Sequence, residues 1–272
     1  MFIDFPLDCT KNSLENVTEI IKSNKDEIEK LLKIEKKTYL NFMRPLMELE
    51  CRLNDYFTPV SHLNSVCDSP ETREAFSVCL EPLSIYASEL NQNKAIYEAV
   101  KEISTQQDLT NEQKKVIKDS LKAFKLGGVH LEYDKKKRLI EINTRLSELS
   151  DNFNKNLLDA TNAFEIILKD DTHIKDMPES DKMAAKVQQG YKFTLQAPSY
   201  IAFMTYCKDR ELREEVYKAY MTRAANNSPV IEEMLKLKHE KAHILGYKNY
   251  REMRNETMSC PSADEALAFL RN

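Results

Sequence analysis

The chain has 272 residues, of which 42% are hydrophobic and 31% charged, with a formal charge of -4. That length allows one large domain or two modest ones with a substantial core. Charges of both signs are interleaved, which argues against a dedicated nucleic-acid surface, and the four glycines, at 127, 128, 190 and 246, do not make the clustered spacing of a phosphate-binding loop.

No apolar run is long enough to span a bilayer. Met1 to Pro6 lacks the basic start and apolar stretch of a signal peptide. The six cysteines, at 9, 51, 67, 79, 207 and 260, form no C-x-x-C pair and read as reduced thiols, some of them core residues. The expectation is a cytoplasmic protein that engages neither nucleic acid nor membrane.

Helical periodicity dominates from the start. Asn12 or Ser13 opens a segment with Leu14, Val17, Ile20 and Ile21 on one side, followed by Ile28, Leu31, Leu32 and Ile34. Tyr39 to Leu53 continues in the same style, and Pro59 is expected to break the pattern. Ser69-Pro70 starts a helix running to about Leu90. Thr110 to Gln113 is a capping box whose helix ends at Gly127. From about Asp134 to Ala160, apolar residues recur at three- and four-residue steps, through Leu139, Ile142, Leu146, Leu149, Phe153 and Leu157, which suits packing along another long helix.

Two stretches depart from this rule. Residues 164–169 and 191–196 are rich in β-formers, and Tyr191, Phe193 and Leu195 alternate with polar residues, so the two can pair as a small sheet or hairpin. Pro198-Ser199 and then Asp209 open further helices. The fold class predicted is mainly α, an elongated multi-helix array with one small β-element, and a subdivision is suggested near 127–134.

Ser228-Pro229 then starts a helix that Gly246 stops. Ile231, Met234, Leu235, Ala242 and Leu245 are expected to form its buried stripe, with His239 and His243 on the flank and Glu240 roughly opposite. Residues 239–243 read His-Glu-Lys-Ala-His. In many zinc peptidases this pattern supplies two imidazole ligands, four residues apart on one helix face, and a glutamate that polarises a metal-bound water. Lys241 inside the motif and Lys238 before it place cations beside the would-be dication, which costs affinity. Glu252, Glu256 and Glu265 are the downstream candidates for a third ligand. Glu265 has a simpler role, since Ser262 to Glu265 is a capping box. The helix it launches, with Ala266, Leu267, Phe269 and Leu270, stops at Asn272, so the chain reads as cut rather than finished.

Other residues carry ordinary readings. His62 fits a hydrogen-bonded loop histidine, Asp170-Asp171 a solvated turn, and His130 and His173 have no identifiable partners. Tyr191, Tyr200, Tyr206, Tyr217 and Tyr220 either line a peptide channel or, as aromatics at helical spacing usually do, fill the core.

Several blocks together resemble a known family. The run Arg145 to Thr161 with an aromatic at Phe164 is similar to the oligopeptidase A branch of the thimet oligopeptidase family of zinc peptidases, and so are Pro59 to Asn64, Ser69 to Phe76, Ala197 to Tyr200 and Arg210 to Tyr220. The likeness continues through His239-Glu240, Leu245-Gly246-Tyr247 and Asn249-Tyr250. It covers nearly the whole chain in order.

The resemblance implies a mostly helical shell around a deep channel that admits short, unstructured peptides. It also implies that the family's own His-Glu-x-x-His motif lies downstream of the region matched here, and that the position of His243 is not usually histidine. No catalytic, cofactor-binding or metal-binding residue is therefore carried over to this chain. The preferred reading is the N-terminal, channel-wall part, over 1–272, of a cytoplasmic zinc oligopeptidase. One zinc ion is expected in the complete enzyme and none in this chain, which is expected to be inactive without a catalytic region supplied by the missing C-terminal part. Two alternatives remain open at this stage. One is a self-standing zinc peptidase using His239, Glu240 and His243, and the other is a non-enzymatic helical scaffold or peptide-binding protein.

Overall fold

Asn12 takes a left-handed backbone (φ 53°) ahead of helix α1, Ser13–Leu32, and its side chain makes no cap. The buried side of α1 carries Val17, Ile21 and Ile28 at helical spacing. The computed structural model describes residues 6, 8–260 and 262–272, and helices carry most of them. A π-helical turn, Tyr39–Met43, follows. It is capped by Thr38, which exchanges hydrogen bonds with Asn41 in a reciprocal box. Its Phe42 and Met43 are fully enclosed.

Helix α2 spans Arg44–Val66 and passes straight through Pro59. The expected break does not occur. A mid-helix proline removes one backbone bond at a cost of about 3 kcal/mol. Burial of Leu53 and Val60 on either side of it, and stacking of Phe57 on Phe76 with ring centroids 5.6 Å apart, offset that cost. Helix α3, Pro70–Asn91, starts at a capping box between Ser69 and Thr72 and accommodates Pro82 in the same way. Helix α4 is Lys94–Ile103 and α5 is Asn111–Leu126, the latter opened by the Thr110–Gln113 box and closed at Gly127. The long helix α6, Tyr133–Ala163, matches the predicted apolar run, with Leu139, Ile142 and Leu149 buried.

A three-stranded antiparallel sheet follows, built from β1 (Glu165–Leu168), β2 (Lys186–Val187) and β3 (Gly190–Thr194) in the order β1-β3-β2. β1 and β3 are the two predicted stretches, paired from Glu165–Thr194 to Leu168–Tyr191. They are not joined by a tight hairpin: helix α7, Glu179–Ala185, and β2 lie between them in sequence. Helices α8 (Ala197–Tyr206) and α9 (Arg210–Thr222) come next, and Asp209 caps α9 by accepting from the amides of Glu211 and Leu212. Then come α10 (Asn227–Ile244), α11 (Tyr250–Asn255) and α12 (Ala263–Arg271).

The chain divides into two compact units, and the division falls inside α6 and α10: one unit holds the residues up to Glu148 with Leu235–Asn272, the other Leu149–Met234. Residues 127–134, where the sequence suggested a subdivision, connect α5 to α6 within the first unit. The main core of that unit gathers Ile28, Phe42, Ile96, Val100, Ile103 and Phe124 from α1, the π-turn, α4 and α5. The second unit has its own core, in which Leu168 and Phe193 of the sheet pack with Ile174, Phe203 and Val216. Among the described residues no helix is long and apolar enough to cross a membrane.

Candidate functional site

Helix α10 begins at Asn227, a residue before the predicted start. Asn227 is buried, donates from Nδ2 to the Phe153 carbonyl at 3.1 Å and accepts at Oδ1 from Asn156 at 2.9 Å. Gly246 does end the helix, as predicted. It takes φ +84°, and the next amide, of Tyr247, reaches back to the Ala242 carbonyl at 2.9 Å, the bond pattern of a left-handed C-cap.

The buried face of α10 is not the one the apolar pattern pointed to. Ile231 and Leu235 are 44% and 61% exposed, and among the predicted stripe only Ala242 is fully buried. Apolar residues lie all round this helix, so periodicity alone does not select a face. What selects it is α6. Arg138 of α6 grips Glu240 bidentately, Nε to Oε1 at 2.6 Å and Nη2 to Oε2 at 2.9 Å, and Asn143 accepts a hydrogen bond from Lys241 Nζ at 2.6 Å. Glu240 therefore points toward α6 and not away from the packed side.

The His-Glu-Lys-Ala-His motif is split between two faces by this arrangement. His239 and His243 are exposed, their rings 4.2 Å apart, and His243 Nδ1 lies 2.9 Å from the His239 carbonyl. Glu240 is held elsewhere, and its hydrogen bonds with Arg138 push its carboxyl below the usual range. A general base needs a free carboxylate turned toward the metal-bound water, and a bidentate pair with arginine ties up both oxygens. Lys241 also faces inward. Burial, and then the charge of Arg254, lowers its ammonium from the usual lysine value, and the neutral Asn143 amide is its hydrogen-bond partner.

Two of the three candidate third ligands, Glu252 and Glu256, make other contacts. Glu252 is the partner of the Asn249 cap on α11, and Glu256 accepts from the Tyr247 hydroxyl at 3.3 Å. Ser262 caps the Glu265 amide at 3.1 Å, the forward half of the expected box. Among the described residues no three His, Cys, Asp or Glu side chains gather in a metal-holding group. The two exposed imidazoles of α10 do not by themselves fit a catalytic zinc, which takes three protein ligands and an open position.

The other singled-out residues have identifiable settings. His62 lies within α2 and not in a loop. Asp170 accepts from the Thr172 amide at 2.9 Å, the turn that was expected, and the Thr172 side chain first and this amide second lower its carboxyl. His130 meets Tyr97 edge-on at 4.8 Å, and His173 Nδ1 stands 3.6 Å from Asp209. Of the tyrosines, Tyr191, Tyr200, Tyr206 and Tyr220 pack against the second unit's core. Tyr200 of α8 stacks on Tyr220 of α9 with ring centroids 3.9 Å apart, and Tyr217, also on α9, is exposed. Arg223 joins them, its guanidinium 3.6 Å from the Tyr220 ring centre. Arg223 stands three residues after Tyr220 on the chain, the one local signal that the two meet.

Comparison with known proteins defines the class first. Residues 17–136 match the "Neurolysin/Thimet oligopeptidase, N-terminal domain" and residues 203–272 match "Peptidase family M3". Oligopeptidase A of Haemophilus influenzae is 41% identical over 93% of this chain and 40% of its own length. Oligopeptidase A of Escherichia coli is 40% identical over 86% of this chain and 37% of its own length. The Arabidopsis thaliana protein named "Probable cytosolic oligopeptidase A" is 33% identical over 94% of this chain and 40% of its own length. The chain belongs to the oligopeptidase A/thimet oligopeptidase family and corresponds to its N-terminal region. It spans less than half the length of these relatives.

Proposed function

We propose that this chain is the N-terminal, channel-wall part of a zinc oligopeptidase that hydrolyses short peptides, and that the metal chemistry resides in the part of the enzyme beyond the region matched here. The observation that carries this reading is the split motif of α10. The family supplies the expectation of one zinc, yet the residues that most resemble a zinc site here do not converge: Glu240 is gripped by Arg138 while His239 and His243 face outward. The 41% identity to an oligopeptidase A over nearly the whole chain supports the peptidase class. The region's part is to restrict which peptides reach the reaction, and the chain alone is inactive. A cytoplasmic setting belongs to the same proposal, supported by the Arabidopsis relative's name and by six free cysteines.

A reconstitution assay tests it. A quenched-fluorescent short peptide is incubated with the 272-residue chain, with a separate chain supplying the C-terminal part of an oligopeptidase A relative, and with both together. The expected result is hydrolysis only in the mixture, abolished by a chelator. Chelator-sensitive hydrolysis by the 272-residue chain alone contradicts the proposal, and so does a mixture that stays inactive while the two chains associate.

A further inference from the structure

The second unit holds a cavity of about 310 Å³ between α7, β3 and α8, and the α10 motif has no part in it. Ala185, Phe193 and Ala202 back it, all of them buried in that unit's core. Val187 and Pro198 also line it, so much of its wall is apolar. Small-molecule sites run from about 300 to 1,000 Å³. This one lies at the lower end, too small for a folded partner or a long peptide.

Two charges of opposite sign enter the cavity from different elements. Asp181 comes from α7 and Lys192 from β3. They do not pair with each other. Asp181 is half-buried and, among the described residues, has no ion-pair partner. Lys192 pairs with Glu165 of β1 at 2.5 Å, but the two side chains are 41% and 51% exposed. A pair that open is worth little, so the ammonium can turn to a ligand at small cost.

Two hydroxyls stand with the cation. Thr194, two residues on from Lys192, shares its face of β3. The Thr194 amide donates to Ser199 Oγ at 2.9 Å, and Thr194 Oγ1 accepts from the Gln196 amide at 3.3 Å. Among the described residues both hydroxyls serve only as acceptors, so each keeps a proton to donate. An anion alone would face Asp181, and a cation alone would face Lys192. An uncharged apolar molecule would leave both without a partner. A small molecule carrying both charges satisfies the whole set.

We propose that this cavity binds a small apolar zwitterion, a free amino acid or a dipeptide with an aliphatic side chain. Its ammonium meets Asp181, and its carboxylate meets Lys192, Thr194 and Ser199. Its side chain lies on the apolar wall. The site follows from the cavity's own charges, and the peptidase reading adds only that hydrolysis releases such molecules.

The test uses the full chain with alanine and valine methyl groups labelled for NMR. Leucine and alanyl-leucine are titrated, each beside its N-acetyl form and its C-terminal amide. The zwitterion should shift the methyls of Ala185, Val187 and Ala202 and bind about fivefold more tightly than either blocked form. Whichever zwitterion binds more tightly identifies the ligand as amino acid or dipeptide. Asp181→Asn should erase the preference over the N-acetyl form and keep that over the amide, and Lys192→Gln should do the reverse. Neither side chain is buried, so both variants should keep the parent melting temperature. Absence of shifts with every probe, equal binding of zwitterion and blocked forms, or preferences that survive both substitutions would each overturn the site. None of those results touches the reconstituted hydrolysis, which answers separately for the peptidase reading.

Discussion

At the scale of single residues, the decisive pair is Glu240 and Lys241, neighbours in a motif that suggests chemistry and both turned toward α6. Lys241 carries a pH signature. Its ammonium pKa is lowered by burial in the folded chain, so the unfolded chain binds more protons in the window below the ordinary lysine value. Stability is then fully present above that value and declines as pH falls toward the folded pKa. Replacing Lys241 with Met should raise the melting temperature at neutral pH, and the gain should shrink as pH approaches about 10.4, where lysine is neutral in both states. Thermal melts across that range check it; a Met variant with no pH-dependent gain would refute the buried charge. For Glu240→Gln the expected loss is small, about 0.5 kcal/mol, because both partners of the Arg138 pair are more than a third exposed. Reconstituted hydrolysis should not change, whereas a general base would lose activity by orders of magnitude.

Helices and strands show which parts of the fold were legible in the sequence. Caps were readable because they rest on local chemistry: Ser69, Thr110 and Asp209 cap the helices they were expected to open, and Ser262 makes the forward half of its box. The pairing of β1 with β3 was readable from alternation, although β2, two residues long, left no pattern to find. Two readings failed because packing outweighs local rules: α2 tolerates Pro59 in exchange for a buried Val60, and α10 buries the side that Arg138 and Asn143 engage. The candidate site was legible as residues and not as geometry, since nothing local to 239–243 reveals that α6 supplies an arginine to the glutamate.

Two glycines test this account of the elements. At Gly246 an added Cβ meets nothing, so Gly246→Ala should cost only the left-handed backbone, about 1 kcal/mol. At Gly190, φ +133°, the same atom would lie 2.0 Å from the Leu168 carbonyl oxygen, against the backbone of β1. Gly190→Ala should therefore cost on the order of 3 kcal/mol or more and disturb the sheet. Denaturant unfolding of both variants should rank Gly190→Ala well above Gly246→Ala; the reverse order would contradict the register of β1 on β3.

Across the whole molecule, the two units have separate cores, and apolar side chains remain outside both. Phe269 and Leu270 of α12 are 81% and 77% exposed. Surface of that kind marks a site of contact. The purified chain should associate and bind a hydrophobic dye, and Phe269→Ser with Leu270→Ser should reduce both; a monomer that binds no dye and melts cooperatively would contradict this. The separation of the His239–His243 face from Glu240 is what supports the proposal that the metal chemistry lies in another part of the enzyme.

Zinc stoichiometry of the purified chain, measured by elemental analysis beside His239→Ala, tests that claim most directly. The account predicts no zinc above background in either protein. Near-equimolar zinc in the parent chain that disappears in His239→Ala would contradict it and make His239, Glu240 and His243 a metal site.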